Sequence, residues 1–73
     1  MKNNAYLGID IGSISTKGVI IDEQNNILAN EYIMTDANPI KASKELVRRL
    51  STKFNYNKCK IVGVGTTGSA RRL

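Results

Sequence analysis

Seventy-three residues with one cysteine and no histidine leave room for one small domain, and exclude both an internal disulfide and a metal site built on Cys and His. Eleven Lys and Arg against six Asp and Glu give a net charge of +5, gathered late in the chain at Lys41, Lys44, Arg48, Arg49, Lys53, Lys58, Lys60, Arg71 and Arg72. With three Tyr, one Phe and no interleaving of basic with aromatic residues, the stacking chemistry of a nucleic-acid face is missing, so the charge reads as a solvated helix side.

The opening Met1-Lys2-Asn3-Asn4-Ala5 runs straight into a short apolar stretch that contains Asp10. This is far short of the roughly 20 apolar residues of a membrane span, and it lacks the apolar region and cleavage site of a signal peptide. The expected location is the cytoplasm, whose reducing conditions also suit a lone cysteine.

Tyr6–Ile11 is short, apolar and rich in β-branched residues, the pattern of a strand buried on both faces. Gly12-Ser13-Ile14-Ser15-Thr16 reads as a tight turn, and Lys17–Asp22 as a second strand. Glu23-Gln24-Asn25-Asn26 is a polar turn in which Asn tolerates positive φ, and a third strand runs from Ile27 to about Met34. The order predicts an antiparallel meander.

Asn38-Pro39 is a helix start: Asn caps, and Pro suits the first helical position. Ile40, Ser43, Val47, Leu50 and Phe54 recur at helical spacing with Leu46 widening the stripe, while Lys41, Lys44, Glu45, Arg48 and Lys53 fall mainly elsewhere. Asn55-Tyr56-Asn57 ends the helix. Ile61–Val64 is a fourth strand, Gly65-Thr66-Thr67-Gly68-Ser69 a second small, hydroxyl-rich turn, and Ala70–Leu73 the start of another helix. Nothing closes that last segment, so the expectation is a piece cut from a longer domain. An uncovered strand edge and sheet face then predict self-association.

Two stretches carry chemistry. In Gly8–Lys17 a carboxylate, Asp10, stands just before a glycine turn. Gly12 allows a sharp turn that exposes N–H groups, Ser13, Ser15 and Thr16 add hydroxyls, and Lys17 adds a charge. Such a set can cradle a polyphosphate while Asp10 holds a hydrated magnesium ion. An ordinary hairpin with Ser and Thr serving turn geometry is the competing reading. A charge inside an apolar strand must be paired, hydrogen-bonded or metal-bound, which favours the first reading. Neither Gly-x-x-x-x-Gly-Lys-Ser/Thr nor Gly-x-Gly-x-x-Gly followed by a helix is present.

The run Leu7-Gly8-Ile9-Asp10-Ile11-Gly12-Ser13-Ile14-Ser15-Thr16-Lys17-Gly18-Val19 resembles the first phosphate motif of the actin, sugar-kinase and heat-shock-chaperone superfamily. That motif is Asp-x-Gly-Ser/Thr-x-Ser/Thr on a β-hairpin. Gly63-Val64-Gly65-Thr66-Thr67-Gly68-Ser69-Ala70-Arg71 is similar to one branch, the ATPase activators of 2-hydroxyacyl-CoA dehydratases and benzoyl-CoA reductases.

The resemblance implies an α/β fold: a partial ribonuclease-H-like unit of three antiparallel strands, a helix, and a fourth strand parallel to the first. Residues 1–73 would be the N-terminal part of an actin-like ATPase domain. Asp10 would be the magnesium-side and catalytic carboxylate. Gly12, Ser13, Ser15, Thr16 and Lys17 would hold the β- and γ-phosphates of ATP. Gly65, Thr66, Thr67, Gly68 and Ser69 would form the turn near the nucleotide cleft. The parent protein would couple MgATP hydrolysis to electron transfer onto a dehydratase or reductase partner, and this stretch alone would be inactive.

Ile14 and Ala70 depart from the family pattern, where a hydroxyl residue and a glycine are common. The family's iron–sulfur cysteines lie well downstream, and Cys59 does not match them. A small-molecule, sugar-type kinase of the same superfamily, a ribonuclease-H-type nuclease and a nucleic-acid-binding module are the alternative readings.

Overall fold

A computed structural model describes residues 2–67 of the chain. The expected helix start at Ala70–Leu73 lies outside the described residues.

Five elements follow in order: β1 (Asn3–Ile11), β2 (Ser15–Asp22), β3 (Ile27–Met34), α1 (Pro39–Lys53) and β4 (Cys59–Thr67). They form one four-stranded sheet of order β3-β2-β1-β4. β1 pairs antiparallel with β2, β2 antiparallel with β3, and β1 parallel with β4. This is the partial ribonuclease-H-like α/β unit expected from the sequence. The helical crossover brings β4 in alongside β1, as a parallel connection requires.

Local chemistry sets the boundaries. Asn25 takes the positive φ, 66°, between β2 and β3, and the Asp22 carboxylate accepts from the N–H groups of Gln24 and Asn26 at 2.9 Å each. Asn38 caps α1, its side-chain oxygen accepting from the Lys41 N–H at 3.2 Å, with Pro39 in the first turn. Phe54 ends the helix by turning extended, at φ −93° and ψ 136°.

Three expectations need correction. The buried line of α1 is Ala42, Leu46 and Leu50, whereas Ile40 and Val47 are exposed. The helix packs mainly on β2 and β3, so an i, i+4 row faces the sheet and the flanking apolar residues overhang it. Phe54 is buried beyond the helix rather than on its stripe, edge-on to Tyr56 at 4.7 Å. β1 is not buried on both faces: Ala5, Ile9 and Ile11 face the helix, while Tyr6 and Asp10 are exposed on the opposite side.

The core is accordingly one-sided. Ile11, Leu46 and Leu50 are fully buried, joined by Ala5, Ile9, Ile20, Ala29 and Phe54. Each large buried side chain contributes about 1.5–3 kcal/mol. Gly18 permits the close approach of helix to sheet, since a Cβ there would stand 2.8 Å from Leu50 Cδ1 and 2.9 Å from Leu46 Cδ2. Among the described residues, no helix is long and apolar enough to cross a membrane.

Candidate functional site

The β1–β2 hairpin closes with Ile11 opposite Thr16 and Asp10 opposite Lys17. Gly12 donates its N–H to the Ser15 carbonyl at 2.9 Å. A Cβ on Gly12 would lie 2.7 Å from that same carbonyl oxygen, so the turn requires a glycine for space. The N–H group of Gly12 is therefore engaged within the turn. Those of Ser13, Ile14 and Ser15, at and just past the tip, have no hydrogen-bond partner among the described residues. Unpartnered peptide N–H groups at a turn are a ready site for an anion.

Side chains in a strand alternate between faces, and this sorts the predicted residues. Lys17 and Asp10 are opposite each other and both exposed, on the face away from α1. Thr67 stands beside Asp10 on β4, and its hydroxyl donates to Asp10 Oδ1 at 3.1 Å. Lys17, Asp10 and Thr67 thus form one row across three strands. The next row inward is Val19, Gly8 and Gly65. Nothing stands within 4 Å of where a Gly65 Cβ would be, so the two glycines leave an open floor. A concavity of about 450 Å³ lies here, lined by Gly8, Asp10, Lys17, Val19, Gly65 and Thr67 among others.

Thr16 falls on the other face. It is completely buried, and its hydroxyl lies 2.9 Å from Thr35 Oγ1. The Thr16 side chain is therefore a pin beneath the hairpin and does not share the face of Lys17. Thr66, in register with Ile9, also points away from the Asp10 row. Gly65, Thr66 and Thr67 were expected in a turn but belong to β4, because they pair with Gly8, Ile9 and Asp10. Gly68 and Ser69 lie outside the described residues.

Thr35 was not legible as part of the site. It sits in the polar stretch Thr35-Asp36-Ala37-Asn38 after β3, with no motif to mark it. Its hydroxyl donates to the Gly12 carbonyl at 2.7 Å, and its N–H donates to the Ile14 carbonyl at 2.7 Å.

No group of three or more His, Cys, Asp or Glu residues within reach of one metal ion occurs among the described residues. Asp10 offers one exposed carboxylate with Oδ2 free of hydrogen bonds among those residues. That suits magnesium, which keeps several waters and takes one or two carboxylates plus substrate phosphates. An iron–sulfur cluster does not fit: Cys59, the chain's one cysteine, begins β4, at the far end of that strand from Thr67.

A larger concavity, about 690 Å³, lies between β3 and α1, bounded by Tyr32, Asp36, Lys41, Glu45 and Arg49. Its Glu45 and Arg49 are engaged with each other, Arg49 Nε with Glu45 Oε1 at 3.2 Å, and no glycine lines it. Chemistry favours the smaller concavity.

No protein-family model matches the chain. Over 63 residues it is 32% identical to a glucokinase from Pyrobaculum calidifontis, covering 86% of this chain and 19% of that protein. The structure is similar to an activator of the 2-hydroxyisocaproyl-CoA dehydratase from Clostridium difficile, solved with bound ADPNP. The TM-score is 0.62 at 28% identity, covering 84% of this chain and 24% of that one. The chain spans about a fifth of the length of the curated relative and about a quarter of the solved one. Both likenesses lie within the actin-like ATPase superfamily whose hairpin motif the sequence carries.

Proposed function

We propose that this chain forms the phosphate-binding wall of an ATP site in an actin-like ATPase, as the N-terminal part of a larger cytoplasmic protein. The observation that carries this reading is the pairing of Asp10 with Lys17 over the Gly8–Gly65 floor, at the end of a hairpin whose turn N–H groups have no partner among the described residues. The bound ADPNP of the structural neighbour and its 28% identity support it.

Each residue has a task that follows from its position. The hairpin amides and the hydroxyls of Ser13 and Ser15 bind phosphate oxygens without bringing a full charge, and Lys17 offsets the phosphate charge from the neighbouring strand. Thr67, by donating to Oδ1, orients the Asp10 carboxylate and leaves Oδ2 to face the ligand. Asp10 would hold magnesium through water, and the ion would supply neutralisation of the phosphate oxygens. The Gly8–Gly65 floor admits the ligand close to the backbone. Hydrolysis needs preorganised charge on several sides of the γ-phosphate, so this wall alone is inactive and the opposing wall comes from other parts of the protein.

For the whole protein we favour an activator that couples MgATP hydrolysis to electron transfer onto a 2-hydroxyacyl-CoA dehydratase or related reductase. Its iron–sulfur ligands would lie outside this stretch. The glucokinase likeness supports a second reading, a sugar-type kinase on the same ATP site. ATP turnover by the full-length protein, measured with and without glucose, separates the two. Sugar-independent hydrolysis by a protein with a thiolate–iron absorption band supports the activator. Turnover that appears only with sugar and yields a sugar phosphate supports the kinase. Absence of both MgATP binding and turnover overturns the ATP-site reading itself.

A further inference from the structure

Thr35 touches neither Asp10 nor Lys17, yet it holds two carbonyls of the turn. Its hydroxyl donates to the Gly12 carbonyl at 2.7 Å, and its N–H donates to the Ile14 carbonyl at 2.7 Å. A threonine hydroxyl has one proton, so with that proton given to Gly12, Thr16 is the donor in the 2.9 Å contact between the two hydroxyls. Thr35 is itself only 4% exposed, and this buried pair is fully satisfied.

In a planar trans peptide the carbonyl and the following N–H point in opposite directions. Drawing the Gly12 carbonyl toward Thr35 turns the Ser13 N–H away from it. Drawing the Ile14 carbonyl toward Thr35 does the same to the Ser15 N–H. A free hairpin tip has no such constraint, because either peptide can flip.

The position of Thr35 is fixed in turn by a strained connection. Asp36 and Ala37 both lie at positive φ, 55° and 56°, in a tight turn closed by the Asn38 N–H donating to the Thr35 carbonyl at 3.1 Å. L-residues in this region are unfavourable, and a pair of them persists only where the surroundings require it. Asn38 then caps α1, so the turn that seats Thr35 also starts the helix.

We infer that Thr35 is a positioning residue: it orients the 12–13 and 14–15 peptides so that the N–H groups of Ser13 and Ser15 are presented as a pair of donors to an anionic ligand. This inference rests on the phosphate-site reading above. It adds that the donor geometry is set from the β3–α1 connection rather than by the hairpin's own sequence.

The test uses the full-length protein with MgADPNP as probe, comparing wild type, Thr35→Val and Thr35→Ser by calorimetry and thermal unfolding. Thr35→Val is expected to weaken MgADPNP binding about tenfold, and Thr35→Ser to restore it, because serine keeps the donor. Equal binding by wild type and a folded Thr35→Val variant overturns the inference and leaves the site reading intact. Loss of binding in both variants, tracking loss of stability, reduces Thr35 to a structural residue and also overturns it. Wild type that binds no MgADPNP overturns the site reading and this inference together.

If Thr35→Val does not fold, amide spectra of the wild type decide. On adding MgADPNP, the Ser13 and Ser15 N–H signals are expected to shift and gain exchange protection, while that of Gly12, already bonded to Ser15, changes little. Binding without change at Ser13 and Ser15 overturns the inference.

Discussion

Thr67 donates a hydrogen bond to Asp10 across 57 residues of chain, and this bond joins the β1 carboxylate to β4. The parallel β1–β4 pairing makes the contact, with Asp10 and Thr67 as register partners. An exposed acid on an open sheet face is thereby oriented without being buried, an arrangement suited to a ligand.

The first prediction concerns that acid. In the full-length protein, Asp10→Ala is expected to lower ATP turnover at least about 100-fold, the scale of losing one preorganised electrostatic contact at a reacting centre. Because Asp10 is exposed, the folding cost should stay within about 1 kcal/mol. Thermal unfolding paired with ATP hydrolysis checks both parts. Normal hydrolysis in a well-folded variant would remove Asp10 from the mechanism.

Gly12→Ala should be costly for a different reason. The added methyl group meets the Ser15 carbonyl oxygen at 2.7 Å, a backbone atom that cannot swing aside. The expected loss is about 1–3 kcal/mol, with the hairpin distorted. Denaturant unfolding measures the loss. A variant as stable as wild type would show that the turn has room to move.

Ala37→Gly should stabilise the chain. Ala37 sits at φ 56°, where an L-residue costs about 1–2 kcal/mol, while glycine gives back roughly 0.5–1 kcal/mol in unfolded-state freedom. A net gain of about 0.5 kcal/mol is expected in chemical denaturation, and a loss would contradict the strained turn.

Acid should loosen the charged side of α1. Hydrogen bonds from Arg48, then Arg49, hold the Glu45 carboxyl down at about 2, below its ordinary value of 4.5. A depressed folded-state value means the contribution is present above pH 4.5 and is lost as pH falls toward about 2. Lys53 lowers Glu31 in the same sense, tying α1 to β3 at 3.0 Å. Both pairs are surface pairs, so the effect should be small and weaken with salt. Stability followed from pH 6 to pH 2 should fall less steeply in Glu45→Gln than in wild type.

The isolated 73-residue chain is expected to self-associate. Tyr6, Tyr32 and Met34 are exposed on the sheet face opposite α1, and Val62 and Val64 on the edge strand β4. Unpaired strand edges and apolar faces recruit other chains. Sedimentation at rising concentration tests this, and a strict monomer throughout would contradict it.

Much of this protein is determined locally, and that part could be read from the residues alone. Short β-branched runs, the Asn25 turn, and Asn38-Pro39 set the strands, the hairpin and the helix start, because each depends on neighbours a few residues away. The Asp10 and Gly12 loop was legible for the same reason. What lay beyond reach depends on which surface meets which. Burial of Leu46 and Leu50 rather than Val47 follows from where α1 crosses the sheet. The extension of β4 through Thr67 follows from the length of β1 beside it. The separation of Thr16 from Lys17 follows from strand alternation combined with the side on which α1 packs, a choice made only when the sheet and helix come together. Thr35 is the clearest case: a threonine after a strand has no local mark, and its place under the Gly12 turn exists because β3 returns beside β2.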